Sequence, residues 1–324
     1  MSKRPTSSNL MEKAFERAKR LIYKSQNILI LLHEFPDGDT IASSLALYLY
    51  SINKKKKADL AVKGEIPKYF RFLTTPYTIK NDFLLGDYDL IIAVDCGDAK
   101  RTGFPMRIEQ IALSKPIINI DHHSTNSLKK YAKVNLVDEN ASAAAEIVYK
   151  MLVYLNGKID SRVATYILTA IYYDTGGFQH SNITSETLKI ASECLSRGAR
   201  IGLISNNVVN TRSSSGLKLW GKALSNMRIK NRIAVSYLSY DDIDSSGAAS
   251  DDAAGVVNLM NTIPQVRLAI LFVATPDGKI KASLRTEEND VDVSRFARLF
   301  GGGGHKKAAG FTLEKNEFLN IISR

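Results

Sequence analysis

Apolar and polar positions along the first half of the chain alternate in a strand–helix rhythm. Residues 27–32, 58–62, 90–94 and 117–120 are short, nearly continuous apolar runs, the pattern of strands buried on both faces. Residues 11–25 predict an amphipathic helix and 67–73 a shorter one. Between them, Ile41, Leu45, Tyr48 and Leu49 put a helical stripe on residues 40–51. This βαβ pattern predicts an α/β domain with a mostly parallel sheet flanked by helices. Helices follow at 142–156, 161–173 and 185–196, the last opening on Ser185-Glu186-Thr187-Leu188. Residues 200–226 look like a helical connector, interrupted by Thr211-Arg212-Ser213-Ser214-Ser215-Gly216. From Arg232 the pattern changes to alternating strands at 233–240, 266–273 and 280–284, with helices at 251–261 and 293–300. Thr275-Pro276-Asp277-Gly278 supplies a hairpin turn between the last two strands. The expected organisation is an α/β domain over 1–196, a connector over 197–228 and a smaller α+β domain over 229–324. Apart from the run Gly301–Gly304, there is no repeat or low-complexity stretch.

Composition changes this picture little. With 324 residues, 44% hydrophobic and 24% charged, the chain can build two cores. No apolar run approaches the roughly 18 residues of a membrane span, and Met1-Ser2-Lys3-Arg4-Pro5-Thr6-Ser7-Ser8 lacks the apolar core of a signal peptide. Two cysteines, Cys96 and Cys194, exclude a disulfide framework and suit a reducing, cytoplasmic setting. Cys96 sits beside Asp95, where a thiolate ligand is conceivable and a small packing residue more usual. Charge adds more. Forty-four Lys and Arg against 33 Asp and Glu give +11, a field that attracts polyanions such as nucleic acid or phosphorylated nucleotides. The run Lys54–Lys57 follows a helix and is ordinarily a solvated end.

The chemistry lies where the apolar runs stop. The first leads into His33-Glu34-Phe35-Pro36-Asp37-Gly38-Asp39, the third into Asp95-Cys96-Gly97-Asp98, the fourth into Asp121-His122-His123. In an open parallel sheet, strand C-terminal ends gather along one edge, where ligands bind. So many carboxylates in one place are tolerable only with cations. Asp37 and Asp39, two apart with a flexible glycine between, can address two neighbouring ions. Asp95 caps a central strand and can bridge both, and His122 with Asp174 would complete the second. Oxygen donors with imidazole suit Mn²⁺, and less well Mg²⁺, with Zn²⁺ and Fe²⁺ as further options. A pair of such ions is a common device for phosphoryl hydrolysis. Alone, an Asp-Gly-Asp is usually a turn and a His-His pair is often nothing; their order and strand-end placement together carry the argument. All five histidines, His33, His122, His123, His180 and His305, lie beside such motifs.

Asp121-His122-His123-Ser124-Thr125-Asn126, His33-x-x-Pro36-Asp37-Gly38-Asp39, Asp95 and Asp174 together resemble the DHH phosphoesterase family. Downstream, Ser283-Leu284-Arg285, Gly301-Gly302-Gly303-Gly304-His305 and Asp252-x-x-Gly255-Val256-Val257-Asn258 resemble its DHH-associated C-terminal domain. The likeness covers nearly the whole chain. It implies a DHH catalytic domain over 1–196 and a substrate-binding domain over 229–324. The two-domain layout is similar to the subgroup that cleaves nanoRNA and 3′-phosphoadenosine-5′-phosphate (pAp). The single-strand DNA exonucleases of the family carry a further domain, and the cyclic-dinucleotide enzymes carry membrane and sensor segments. By the same resemblance, His33, Asp37 and Asp95 would hold a first ion and Asp39, Asp95, His122 and Asp174 a second, both expected to be Mn²⁺. His123 would meet the scissile phosphate or act as general acid. Asp121 would orient the histidines as a supporting catalytic residue. Asp98 is equally well a loop acid.

The glycine run removes four side chains, so backbone N–H groups can approach a phosphate. Its ordinary reading is a flexible loop with a basic end. The resemblance instead implies a phosphate anchor made of Arg285, Gly302, Gly303, Gly304, His305 and Lys306, and hence a preference for short substrates. Lys279, Arg295 and Arg298 are ordinary surface residues that can extend a basic wall. Two departures stand out: Ala42-Ser43 replaces a common Gly-Ser, and Gln179 stands where many members carry a basic residue. No expected ligand is missing. The partners expected are short RNA, dinucleotides and pAp, with no membrane and with a homodimer left open. The competing readings are a phosphodiesterase for dinucleotide messengers (pApA, pGpG, cyclic di-AMP) and a non-catalytic nucleotide- or single-strand-binding protein. Against the last, aromatics are not interleaved with basic residues as on a single-strand groove.

Overall fold

The apolar runs of the first half fold as strands because every side chain on them is covered. Along β1 (Asn27–Leu31), Ile28 and Ile30 enter one core while Leu29 and Leu31 enter another on the opposite face. The structure, a computed structural model, describes residues 7–75, 77–208 and 213–322. It comprises two compact units, 1–211 and 212–324.

In the first unit α1 (Ser7–Lys24) precedes β1, followed by α2 (Gly38–Asn53), β2 (Lys57–Ala61), α3 (Arg71–Thr74) and β3 (Ile79–Lys80). Then come β4 (Leu90–Val94), α4 (Pro105–Ser114), β5 (Ile117–Asp121), β6 (Val134–Val137), α5 (Ala144–Tyr154), α6 (Ser161–Asp174), α7 (Ser185–Ser196) and α8 (Ile201–Val208). The sheet order is β3-β2-β1-β4-β5-β6 and every pairing is parallel. This is the α/β architecture the patterning predicts. Helices α2, α5 and α6 share the larger core, and Ile108 and Ile111 of α4 belong to the core on the other face. The chain runs outward from β1 to β2 and β3, then crosses back to pair β4 with β1. The C-terminal ends of β1 and β4 therefore flank a topological switch point, the usual crevice of such sheets.

The second unit holds α9 (Ser214–Ser225), β7 (Arg228–Lys230), β8 (Ile233–Leu238), α10 (Tyr240–Ser246), α11 (Val256–Asn261), β9 (Leu268–Ala274) and β10 (Lys279–Arg285). It ends with α12 (Val293–Leu299), β11 (Gly303–Gly304), β12 (Ala308–Glu314) and α13 (Lys315–Ile322). Its mixed sheet runs β11-β12-β10-β9-β8-β7. The expected hairpin between β9 and β10 is present, closed by Gly278 donating to Thr275 O. Of the interruption expected at 211–216, residues 211 and 212 lie outside the described residues, and Ser213 onward caps and starts α9.

Candidate metal centre

Asp37 ends the loop after β1 as the N-cap of α2, its Oδ1 accepting from the backbone N–H of Asp39 and Thr40. Asp39 falls in the first helical turn, so the two acids are spaced by helix geometry. Gly38 does not supply flexibility, as its sequence context suggested. It is buried at the start of α2, and a Cβ there would lie 2.5 Å from the Tyr173 ring. It is glycine because α2 and the end of α6 approach closely, and that approach brings Asp174 to the site.

Asp95 follows β4 with φ +57, a left-handed backbone that is unfavourable for a non-glycine residue and concentrates at functional sites. The side chain is buried. Its Oδ2 lies 3.6 Å from His33 Nε2, and its Oδ1 lies 3.4 Å from His122 Nε2 and 3.3 Å from His123 Nδ1. Asp37 Oδ1 is 3.6 Å from His33 Nε2. Asp174 Oδ2 and Asp39 Oδ2 are 3.3 and 3.9 Å from His122 Nε2. The ligand atoms of His33/Asp37/Asp95 lie within 4.8 Å of one another, as do those of Asp39/Asp95/His122 and of Asp95/Asp121/His123, and Asp95 is common to all three.

Each histidine is pinned through Nδ1. His33 donates to Glu34 O at 2.8 Å, His122 to Ala141 O at 3.2 Å, and His123 to Asp121 Oδ1 at 2.7 Å. In the neutral ring this leaves Nε2 of His33 and His122 as the nitrogen able to bind a cation, the usual outer-shell arrangement of metal-binding histidines. His33 Nε2 and Asp95 Oδ1 are buried without a hydrogen-bond partner. Buried polar atoms left so are costly, and a cation satisfies both. The donor set therefore fits divalent metal ions.

The charges agree. Burial raises Asp39 to about 7, with Asp95 adding to it, and pushes Asp174 well above the usual carboxylate range, with Asp39 adding to it. For Asp95 burial acts upward too, but the imidazoles of His122 and His123 beside it prevail and hold it well below that range. Burial disfavours the charged imidazoles, yet their carboxylate neighbours prevail: Asp95 raises His122 well above its usual value, and Asp121 and Asp95 raise His123 to about 9. His33 rises likewise, chiefly through Asp37. Protons here hold together a cluster that cations would otherwise neutralise.

The remaining expected residues divide clearly. Asp121 accepts hydrogen bonds from His123. Its Oδ2 accepts from Gly97 N at 2.5 Å and Asn126 Nδ2 at 2.7 Å, while His122 is oriented by Ala141. Asp98 is a loop anchor that accepts from Lys100 N and Ser127 Oγ. Cys96 is fully buried, with burial pushing its thiol up, and serves packing. His180 donates to Asp174 O at 3.1 Å. Arg101 escaped the sequence reading: its Nη1 lies 3.1 Å from His123 Nε2. A basic residue six positions past a strand-end acid was the available signal.

In the second unit, Arg285 closes β10 and its Nε donates to Asn258 Oδ1 at 2.8 Å. Gly303 and Gly304 form β11 against β12, so the glycine run is an ordered edge. Packing explains two of its members. A Cβ on Gly302 would lie 2.2 Å from Gly310 O, and one on Gly304 (φ +135) 2.5 Å from Ala308 O. Nothing lies near a Cβ on Gly303. His305 closes a turn with Ala308, and the Lys306 carbonyl accepts from Val293 N.

Residues 27–172 match the DHH family, N-terminal domain, and residues 230–324 the DHHA1 domain. A Thermus thermophilus protein named bifunctional oligoribonuclease and PAP phosphatase NrnA is 29% identical over 290 residues, 89% of this chain and 84% of its own. A Mycoplasma genitalium protein of the same name is 25% identical over 304 residues, covering 93% of each. The crystal structure of an exopolyphosphatase-related protein from Bacteroides fragilis is similar with a TM-score of 0.87 at 25% identity, over 96% of this chain and 95% of that one. The chain belongs to the DHH family, with a DHHA1 domain following its N-terminal domain.

Proposed function

We propose that this protein is a cytoplasmic, Mn²⁺-dependent phosphoesterase that hydrolyses short oligoribonucleotides to mononucleotides and pAp to AMP. The observation that carries this reading is the division of Asp95, one oxygen toward His33 and the other toward His122. Two ion sites sharing one carboxylate suit attack of water on phosphorus. His33, Asp37 and Asp95 form one site and Asp39, Asp95, His122 and Asp174 the other. Bound divalent ions would supply an acidified water and charge neutralisation on phosphate oxygens. Oxygen-rich donors with two imidazoles favour Mn²⁺. The names of the two relatives support the substrate class.

The chain's own groups do the rest. Asp121 holds the His123 ring so that Nε2 faces outward beside Arg101. From Nε2, His123 delivers a proton to the leaving oxygen as the phosphorus–oxygen bond breaks. Arg101 offers a guanidinium to a phosphate oxygen. Arg285, the backbone at Gly302–Gly304, His305 and Lys306 supply a second phosphate anchor. Among the described residues, no helix is long and apolar enough to cross a membrane.

The test is a panel of pApA, pGpG, pAp and cyclic di-AMP with Mn²⁺ and then Mg²⁺, for the wild type and Asp95→Ala. Turnover of pApA and pAp by the wild type and none by the variant is expected. Retained turnover by Asp95→Ala, or turnover confined to cyclic di-AMP, would defeat the proposal.

A further inference from the structure

Glu146 is a buried carboxylate that the proposed chemistry leaves without a task. It lies in the first turn of α5, 1% exposed. One oxygen, Oε1, accepts three hydrogen bonds: from Ser142 N at 3.0 Å, Ser142 Oγ at 2.6 Å and Thr187 Oγ1 at 2.7 Å. A buried carboxylate is kept only where its donors are well placed. Thr187 is itself fixed by the capping box with Thr184 that starts α7. Glu146 thus ties the turn before α5 to the start of α7.

That turn has its own connections, and several lead to one group of residues. The Ala141 carbonyl accepts from His122 Nδ1. The Ser142 carbonyl accepts from Asn182 Nδ2 at 3.2 Å, and the same amide donates to the Asp174 carbonyl at 3.3 Å. The backbone N–H groups of Ala144 and Ala145 donate to Asp39 Oδ2 at 2.5 Å and Oδ1 at 3.1 Å. His122, Asp174 and Asp39 are the three residues that, with Asp95, would form the second ion site. His33 and Asp37 are fixed instead by Glu34 O and by the start of α2.

We propose that residues 141–146, locked by Glu146, are a strap that sets the geometry of the second ion site and leaves the first alone. Glu146 is a positioning residue: it acts through Ser142 and its neighbours and touches no ligand itself. This rests on the two-ion reading of the centre. It gives Asp39, His122 and Asp174 a support that His33 and Asp37 lack, while Asp95 and the start of α2 serve both sites. Because all three bonds end on Oε1, the amide oxygen of Gln can replace it, and Ala cannot.

The experiment is calorimetric titration of the full chain with Mn²⁺, with His33→Ala and His122→Ala as references for loss of the first and the second site. Wild type should show two binding events. Glu146→Ala should resemble His122→Ala, weakening the second event by about 10- to 100-fold, as outer-shell substitutions do, with the first unchanged. Glu146→Gln should restore it. Ser142→Ala, which removes one of the three bonds, should weaken the same event less and serves if Glu146→Ala does not fold. Equal weakening of both events, or none, in a variant with native circular dichroism overturns the strap. A wild type that binds fewer than two ions defeats the two-ion reading instead.

Discussion

Asp121 Oδ1 accepts both the ring Nδ1–H of His123 at 2.7 Å and its backbone N–H at 2.8 Å. One oxygen therefore sets the ring's position and its tautomer, while Oδ2 ties the assembly to Gly97 and Asn126. Asp121→Asn keeps one acceptor but turns an amide N–H₂ toward two donors. We expect kcat on pApA to fall by about 10- to 100-fold, with Mn²⁺ affinity of both sites much less affected. Steady-state kinetics beside Mn²⁺ titration would show it. A loss confined to metal binding would mean that Asp121 supports ligands rather than His123.

The metal-free protein should lose stability as pH rises from 6 to 9. His122 and His123 are raised from 6.5, His123 to about 9, so their contribution is complete below 6.5 and disappears as pH climbs through the folded values. Asp39, raised from 3.8 to about 7, acts in the same direction, its contribution being lost between those values. Asp95 is lowered, so its contribution is lost only below 3.8, outside this window. Bound cations replace the protons. The melting temperature without metal should therefore drop across pH 6–9, and the increase produced by Mn²⁺ should grow. A Mn²⁺-induced increase that shrinks with pH would contradict the ion-for-proton exchange.

Much of the first unit was legible because its strands are buried on both faces. Residues 27–32, 90–94 and 117–120 appear as apolar runs, and the acids and histidines at their ends converge as expected. Edge elements were less visible. β3 has two residues, and β6 (VNLV) carries an asparagine that donates to Lys129 O. β12 was hidden by its neighbour: Ala308-Ala309-Gly310 follows four glycines, a histidine and two lysines, and its alternation starts only at Phe311. Arg101 and Glu146 were hard to see for another reason. Arg101 meets His123 22 residues away, and Glu146, besides Ser142 four residues before it, meets Thr187 41 residues away, and the pattern of neighbouring residues does not identify such distant partners.

Gly38 makes a steric prediction. A Cβ there would lie 2.5 Å from Cγ of Tyr173, next to Asp174. Gly38→Ala should therefore cost about 1–3 kcal/mol of stability and separate Asp174 from Asp39. Tyr173→Ala in the same background removes the ring atoms from the clash but keeps Cβ at 2.8 Å, so the two losses should be less than additive. Thermal denaturation of the single and double variants would test this. Additive losses would show that α2 and α6 do not press on each other at this point.

The glycine run separates packing from function one residue at a time. Gly302→Ala forces a methyl to within 2.2 Å of a backbone oxygen on β12, and Gly304→Ala meets Ala308 O at 2.5 Å with φ +135, a region few other residues enter. Both should lower the melting temperature by several degrees. Gly303→Ala has open space around it and pairs with Gly310 through its backbone, so the fold should tolerate it. If backbone N–H groups in this run receive a phosphate, the Gly303 methyl should raise KM for pApA and pAp with the melting temperature unchanged. Unchanged KM would leave the run as a packing device, with Arg285, His305 and Lys306 as the groups left to hold the phosphate.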